Sequence, residues 1–359
     1  MKNENTAPPA IKAEFPNWAR ARRGSHNPDR QTNPVWAWLA ETGLSAYSAH
    51  EAAGSGEKQE RGWCFERFGQ SETLLADGKR VLIGGEHEDF CDPDFYIYND
   101  VVIFEEGRVT AIFGYPAADF PPTDFHSATL VGDQIVIIGR LGYVEDRADD
   151  ITPVFALNLD DYSISELKTS GNQPAWMHKH SAILDETGEA IICEGGVTTH
   201  TATGHVIENI GKWRLCLKSG EWSLVSEKYW NRWLLMRGDE SPNELWEIEQ
   251  ISSAKKSKRI DKYVREMTVK LAKRGHVPNA DLYERRYAPN VEGFDVIEID
   301  FRSHVVTFEK SRIRFDEQYD SILVTVERSR GPEAEADLIL HYTNVFAELE
   351  GVPYKAVKL

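Results

Sequence analysis

Residues 125–140 read Phe125-His126-Ser127-Ala128-Thr129-Leu130-Val131-Gly132-Asp133-Gln134-Ile135-Val136-Ile137-Ile138-Gly139-Arg140, a polar opening that runs through apolar residues to a glycine. The same plan stands on either side. Gly69-Gln70-Ser71 leads through Leu74 and Leu75 to Val81-Leu82-Ile83-Gly84-Gly85, and Lys179-His180-Ser181 leads to Ala190-Ile191-Ile192-Cys193-Glu194-Gly195-Gly196. After a loop, each copy adds a hairpin. Val101 to Phe104 turns at Glu105-Glu106-Gly107-Arg108 into Val109, Val154 to Leu159 turns at Asp160-Asp161-Tyr162-Ser163 into Ile164, and Lys212 to Leu217 turns at Lys218-Ser219-Gly220-Glu221 into Trp222. The serines and the closing residues both recur at about 55 residues, so the unit is an internal repeat held in step at both ends.

Four short runs rich in Val, Ile and Phe, separated by glycine and acidic turns, are the pattern of a four-stranded propeller blade. A lone twisted sheet leaves two apolar faces wet, so such units must stack. The doubled glycine at the end of the second run permits positive φ and close backbone approach. On these residues the chain, over about residues 62 to 230, resembles the kelch-repeat β-propellers, whose units carry a His-Ser opening, a Gly-Gly and a later Trp. The middle unit has Gly139-Arg140 instead of Gly-Gly, the first opens with Gln70-Ser71, and only the third keeps its Trp.

Three blades do not close a ring. Phe294 to Asp300 followed by His304 to Phe308 reads as a hairpin like the later half of a blade, and Trp230 to Ile251 reads as part of the same degenerate blade or as a linker. The expected fold is therefore mainly β: a kelch-like β-propeller with three recognisable four-stranded blades, a further degenerate blade and a small C-terminal α+β region. The expected boundaries are 1–61 for an N-terminal extension with a short helix, 62–230 for the blades, 231–293 for a linker with a basic helix, and 294–359 for an α+β region completing the propeller. In the extension, Asn33 reads as an N-cap with Pro34 at the first helical position and Val35, Trp36 and Leu39 on one face before Gly43. In the last region, Pro332 to Leu349 reads as a helix with Glu333 and Glu335 in its first turn, set between strands at 322–326 and 354–357.

At 359 residues, with 41% hydrophobic and 11% aromatic residues, the chain exceeds a usual single core, and two structural regions are expected. Residues 1–15 lack an apolar signal-like stretch, and no run approaches a membrane span, so a cytoplasmic protein without a membrane partner is expected. Cys64, Cys91, Cys193 and Cys216 show no CxxC spacing and are expected as reduced thiols. The formal net charge of −17 argues against nucleic acid as a partner. From Lys255 to Arg274 the balance reverses, and Ile260, Tyr263, Val264, Met267 and Leu271 fall at helical spacing, which predicts one amphipathic basic helix. It suits binding to an acidic partner, a membrane surface or nucleic acid, or simply packing on its own domain or on the acidic propeller.

Antiparallel pairing puts the start of each first strand and the end of the second on one face of the stack. This gathers Gln70, His126, His178 and His180 near three loops. The first, Glu86-His87-Glu88-Asp89-Phe90-Cys91-Asp92-Pro93-Asp94, carries five carboxylates and a histidine; the second carries Arg140, Tyr143 and Arg147; the third carries Thr198, Thr199, His200 and His205. Two readings follow for the candidate face Glu86, His87, Asp92, Asp94, His126, Arg140, His178 and His180. Imidazoles and carboxylates can hold a divalent metal or do acid–base work on a small polar substrate. Alternatively, the His-Ser pairs hydrogen-bond between blades, as the kelch resemblance implies, and Asp92 and Asp94 cap turns. The chain has no P-loop, GxSxG, GxGxxG or HExxH motif, and no cofactor is assigned. The leading expectation is a cytoplasmic interaction module that binds a protein partner through loops on one propeller face, because loops on a rigid scaffold carry recognition. The alternative is a metal- or carbohydrate-handling enzyme of the mutarotase or lyase kind that the kelch resemblance also implies; a toxin-neutralising or defence role ranks below both.

Overall fold

The computed structural model describes residues 6–55, 62–87, 95–147, 151–200, 202–258, 261–273, 275, 277, 279–300 and 302–359. The fold is mainly β, with several antiparallel sheets, and the chain divides into two compact units, 1–227 and 228–359.

The first unit begins with helix α1 (Pro9–Trp18), strand β1 (Asp29–Gln31) and helices α2 (Pro34–Thr42) and α3 (Ala46–Ala53). The first repeat follows as β2 (Ser71–Leu74), β3 (Arg80–Ile83), the loop pair β4 (Glu86–His87) and β5 (Tyr96–Ile97), then β6 (Val101–Glu105) and β7 (Arg108–Gly114). The second is β8 (Ser127–Val131), β9 (Gln134–Ile138), β10 (Val154–Asn158) and β11 (Ile164–Glu166). After β12 (Ser170–Gly171) and β13 (Met177–His178), the third is β14 (Ser181–Leu184), β15 (Ala190–Glu194), the loop strands β16 (Val197–Thr199) and β17 (Val206–Glu208), then β18 (Gly211–Cys216) and β19 (Glu221–Glu227). The sheet orders are β1-β7-β6-β3-β2, β11-β10-β9-β8 and β12-β19-β18-β15-β14, so each repeat is one antiparallel meander. Among the described residues no closed ring is formed.

Alternation along the strands explains the stacking. Val81, Ile83, Val101 and Ile103 of the first sheet are buried against Ile135, Ile137, Phe155 and Leu157 of the second. On the other side of the second sheet, Val136, Ile138 and Val154 pack with Met177, Ile191, Cys193, Leu215 and Trp222 of the third. The remaining face of the first sheet, with Leu82, Val102, Phe104 and Ile112, is sealed by Val35, Trp36, Leu39 and other residues of the N-terminal helices. Asn33 caps α2 as its sequence suggests, its Oδ1 accepting the Trp36 N–H at 2.8 Å, and Gly43 closes it in the left-handed region. The extension is more than one short helix. It supplies three helices, and β1 adds a fifth strand to the first sheet by pairing with β7.

In the second unit, β20 (Asn231–Arg237) is followed by α4 (Leu245–Ser257), α5 (Lys262–Lys273) and α6 (Ala280–Glu284). Then come β21 (Phe294–Asp300), β22 (Ser303–Phe308), β23 (Ser311–Glu317), β24 (Ser321–Arg328), α7 (Pro332–Glu350) and β25 (Tyr354–Lys358). The six strands form one antiparallel sheet in the order β21-β22-β23-β24-β20-β25. This corrects two expectations. The hairpin at 294–308 is the edge of this sheet rather than half of a blade, and the segment expected as a linker supplies an inner strand and three helices. The reason is burial: Val306, Ile313, Phe315, Ile322 and Val324 on one face meet Leu245, Ile248, Met267, Leu271, Tyr342 and Phe346 in a core of their own. The basic stretch is likewise two helices, because Lys258 turns into the left-handed region and ends α4, and the Asp261 side chain accepts the Val264 N–H at 2.9 Å to start the next. Val264, Met267 and Leu271 are buried in the core while Tyr263 is half exposed, so this helix packs on its own unit and turns its lysines to solvent. Ile260 lies outside the described residues.

Candidate functional site

The three repeat openings share one backbone device. Gly69, Phe125 and Lys179 all have positive φ, at 63°, 49° and 56°. The Phe125 N–H donates to the Gly69 carbonyl and the Lys179 N–H to the Phe125 carbonyl, each at 2.8 Å, which lines up β2, β8 and β14. On this rail the side chains interlock. Ser71 Oγ lies 2.7 Å from His126 Nε2, and Ser127 Oγ lies 2.9 Å from His180 Nε2, so each serine is bonded to the histidine of the next repeat.

The histidines are buried, and burial decides their charge. It pushes His126 down to about 3, with the nearby His180 adding to the effect, and His180 down to about 4. His178 also falls to about 3, first through burial and then through Lys179, Arg147 and His180. All three are neutral imidazoles near pH 7, and two of them are struts between sheets. A group whose pKa lies that far below the working pH is a poor general base.

The charged part of the face is a buried cluster. Glu86, from β4, lies beside Asp124, whose Oδ1 accepts the Gly142 N–H at 2.7 Å. Burial raises the Asp124 pKa; the Gly142 N–H, Glu86, Arg140 and Arg147 oppose that rise. Arg140 donates from Nη1 to the Pro122 carbonyl at 2.7 Å and to Asp146 at 3.2 Å, and its guanidinium lies 5.0 Å from the Trp176 ring centre. Arg147 donates to the Leu141 and Gly142 carbonyls, at 3.0 and 2.8 Å. The Tyr143 hydroxyl accepts the Ile97 N–H at 2.9 Å, joining the second loop to the first. His87 is buried in β4. Asp92 and Asp94 lie outside the described residues, and so does Cys91. Among the described residues no three His, Cys, Asp or Glu side chains meet in a group able to hold a metal ion.

Sequence reasoning missed Asp124, Asp146 and Trp176. Asp124 had a signal: it holds the position that His178 holds in the third repeat, two residues before the histidine of its own opening. Beside Arg140 opens a cleft of about 1060 Å³, lined by Asn27, Asp119, Asp146, Lys168 and Trp176 among others, with the strand β11 as one wall. β11 is the outer edge of the second sheet. In the other two sheets that edge carries an extra strand, β1 antiparallel on β7 and β12 parallel on β19. Among the described residues no strand pairs with the outer edge of β11; there the Asn27 amide donates to the Ile164 carbonyl at 2.7 Å and accepts its N–H at 2.8 Å, as a strand would.

No family model matches the chain, and no curated protein matches it. Among solved structures, the one titled "Structure of YjhT" is similar at 13% sequence identity and a TM-score of 0.33, covering 44% of this chain and 55% of that one. The chain thus spans about half the length of that neighbour. No helix among the described residues is long and apolar enough to cross a membrane.

Proposed function

We propose that the chain is a kelch-like interaction module whose three meanders are propeller blades, and that it binds an extended segment of a protein partner in the cleft beside Arg140. The observation that carries this reading is the outer edge of the middle sheet. Two of three equivalent edges are already taken by an extended piece of the chain, and the third borders an open cleft. Adding a strand to such an edge supplies main-chain hydrogen bonds for affinity, while neighbouring pockets choose the side chains. The loop groups fit a supporting role, because Arg140, Asp124 and Arg147 are spent on holding the loops in place. The reading includes a cytoplasmic location, in keeping with Cys64 and Cys193 as buried free thiols.

The test is to capture the partner on the full-length tagged protein, cross-link it, and repeat the capture with Glu166→Lys and Lys168→Glu, both exposed on the cleft wall. Cross-links at 117–121 and 164–169, with capture lost in both variants and folding unchanged, support the reading. A partner retained by both variants, or a chain that purifies alone, overturns it.

A further inference from the structure

The sheet of the second unit ends in two strands of opposite character. β25 is blunted in the usual way for an edge: Lys355 pairs with Glu240 at 3.1 Å, Lys358 sits over the Trp233 ring, and the Tyr354 hydroxyl donates to Glu350 at 2.8 Å. β21 has none of these contacts, and its only blunting features are its acidic side chains and an irregular register between Glu298 and Asp300. All seven of its residues are exposed, although their cross-strand partners are not: Val296 pairs with Val306, which is fully buried, and Ile297 with Val305, which is 2% exposed. Phe294, Val296, Ile297 and Ile299 are 39%, 42%, 52% and 60% exposed. The strand carries no lysine or proline, and among the described residues no strand pairs with its outer edge.

Charge selects what this edge accepts. Asp295, Glu298 and Asp300 are the strand's only charged residues, and none is in an ion pair among the described residues. Pairing with a second copy of the same strand would bring six carboxylates into one two-stranded seam, and cross-strand like charges oppose that. Side chains alternate between faces, so an added strand with basic side chains on one face meets Glu298, and its apolar residues on the other face cover the exposed Ile297.

We infer that β21 is a docking edge for an extended partner segment in which lysine or arginine alternates with β-branched residues, added as a seventh strand to this sheet. This site is independent of the cleft in the first unit.

The experiment uses the full-length protein and a blocked synthetic peptide of alternating lysine and valine, read by fluorescence anisotropy. Three comparisons bear on it: the same peptide with glutamate for lysine, the lysine peptide N-methylated at every second residue, and the protein with Asp295→Lys, Glu298→Lys and Asp300→Lys together. Ile297→Lys, a single change at a half-exposed side chain, serves if the triple variant does not fold. The expected result is saturable binding of the lysine peptide, at least tenfold weaker for the N-methylated peptide and for either variant, no binding of the glutamate peptide, and slowed amide exchange confined to 294–300. Absence of binding, equal binding of the N-methylated peptide, or binding unchanged in both variants overturns the inference. A doubling of mass in sedimentation that Ile297→Lys abolishes also overturns it, since the occupant is then a second copy.

Discussion

Within the first unit, the two seams between repeat sheets and the outward side of the third sheet are built on equivalent positions and end differently. In the first sheet Ser71 pairs across to Ile83, and Ile83 to Val101; in the second, Ser127 pairs to Ile138, and Ile138 to Val154. Those positions meet the next sheet. In the third, Ser181 pairs to Glu194, and Glu194 holds Lys212 in an exposed ion pair at 3.2 Å. Where Ser71 and Ser127 reach a histidine of the next repeat, Ser181 turns back to the Glu194 carbonyl at 3.2 Å. A Cβ on Gly84 or Gly139 would lie 2.1 Å from the Thr123 or Met177 carbonyl of the next repeat, whereas one on Gly195 would meet nothing within 4 Å. Repeat arrays need a terminal unit with a polar outer face. Here one end is sealed by the N-terminal helices, and the other carries Glu194–Lys212 where each seam carries one apolar pair, Ile83–Val101 or Ile138–Val154.

The largest test of this contrast is acid. The seams need neutral histidines, and a histidine whose folded pKa is depressed contributes stability that is present above its unfolded value near 6.5. That stability is lost as the pH falls toward the folded value, because the unfolded chain binds the extra proton. With His126 and His178 at about 3 and His180 at about 4, unfolding free energies from urea denaturation should fall steadily from pH 6.5 to 4, by up to roughly 1.4 kcal/mol per histidine and pH unit. Replacing His126 and His180 by Gln should flatten the slope; an unchanged slope would remove the histidines from the account.

Next in size is glycine. Gly139→Ala puts a side chain at φ 68° into the Met177 carbonyl and should cost about 3 kcal/mol or more in urea denaturation, against about 1 kcal/mol for Gly195→Ala at φ 70° in open space. Equal costs would mean that close approach does not matter.

Removing the strut itself comes third. His180→Ala should cost about 2 kcal/mol by stranding Ser127 and opening a cavity, while Ser181→Ala should change stability by no more than about 0.5 kcal/mol.

The smallest effect on stability, again within about 0.5 kcal/mol, belongs to Glu194→Val with Lys212→Val, since an exposed ion pair contributes little. Its value lies in sedimentation: if the ion pair is what keeps this side from behaving as a seam, the double variant should self-associate where the parent does not.

Much of this architecture could be read in advance because its signals are local. The repeat, its turns, the Asn33 cap and the Pro332–Glu350 helix depend on residues a few positions apart, and each is present in the structure. The candidate face was legible only in part. His126 and His180 read either as acid–base or metal-binding groups or as inter-blade hydrogen-bond partners, and what makes them struts is a serine 53 to 55 residues earlier in the chain. Asp124 drew no attention because its chemistry comes from Glu86, Gly142 and two arginines brought to it by the fold. The basic stretch looked like one helix because periodicity continues across Lys258, where the chain turns.

Period-two patterning, glycine placement and the spacing of the His-Ser openings were enough to settle that the chain makes successive four-stranded meanders, since backbone sterics and alternation act over short distances. Whether each meander edge is taken, which histidines are neutral and where the stack ends were settled by contacts between residues tens of positions apart. Burial and hydrogen-bond partnership belong to the packed chain, and no local pattern of residues encodes them.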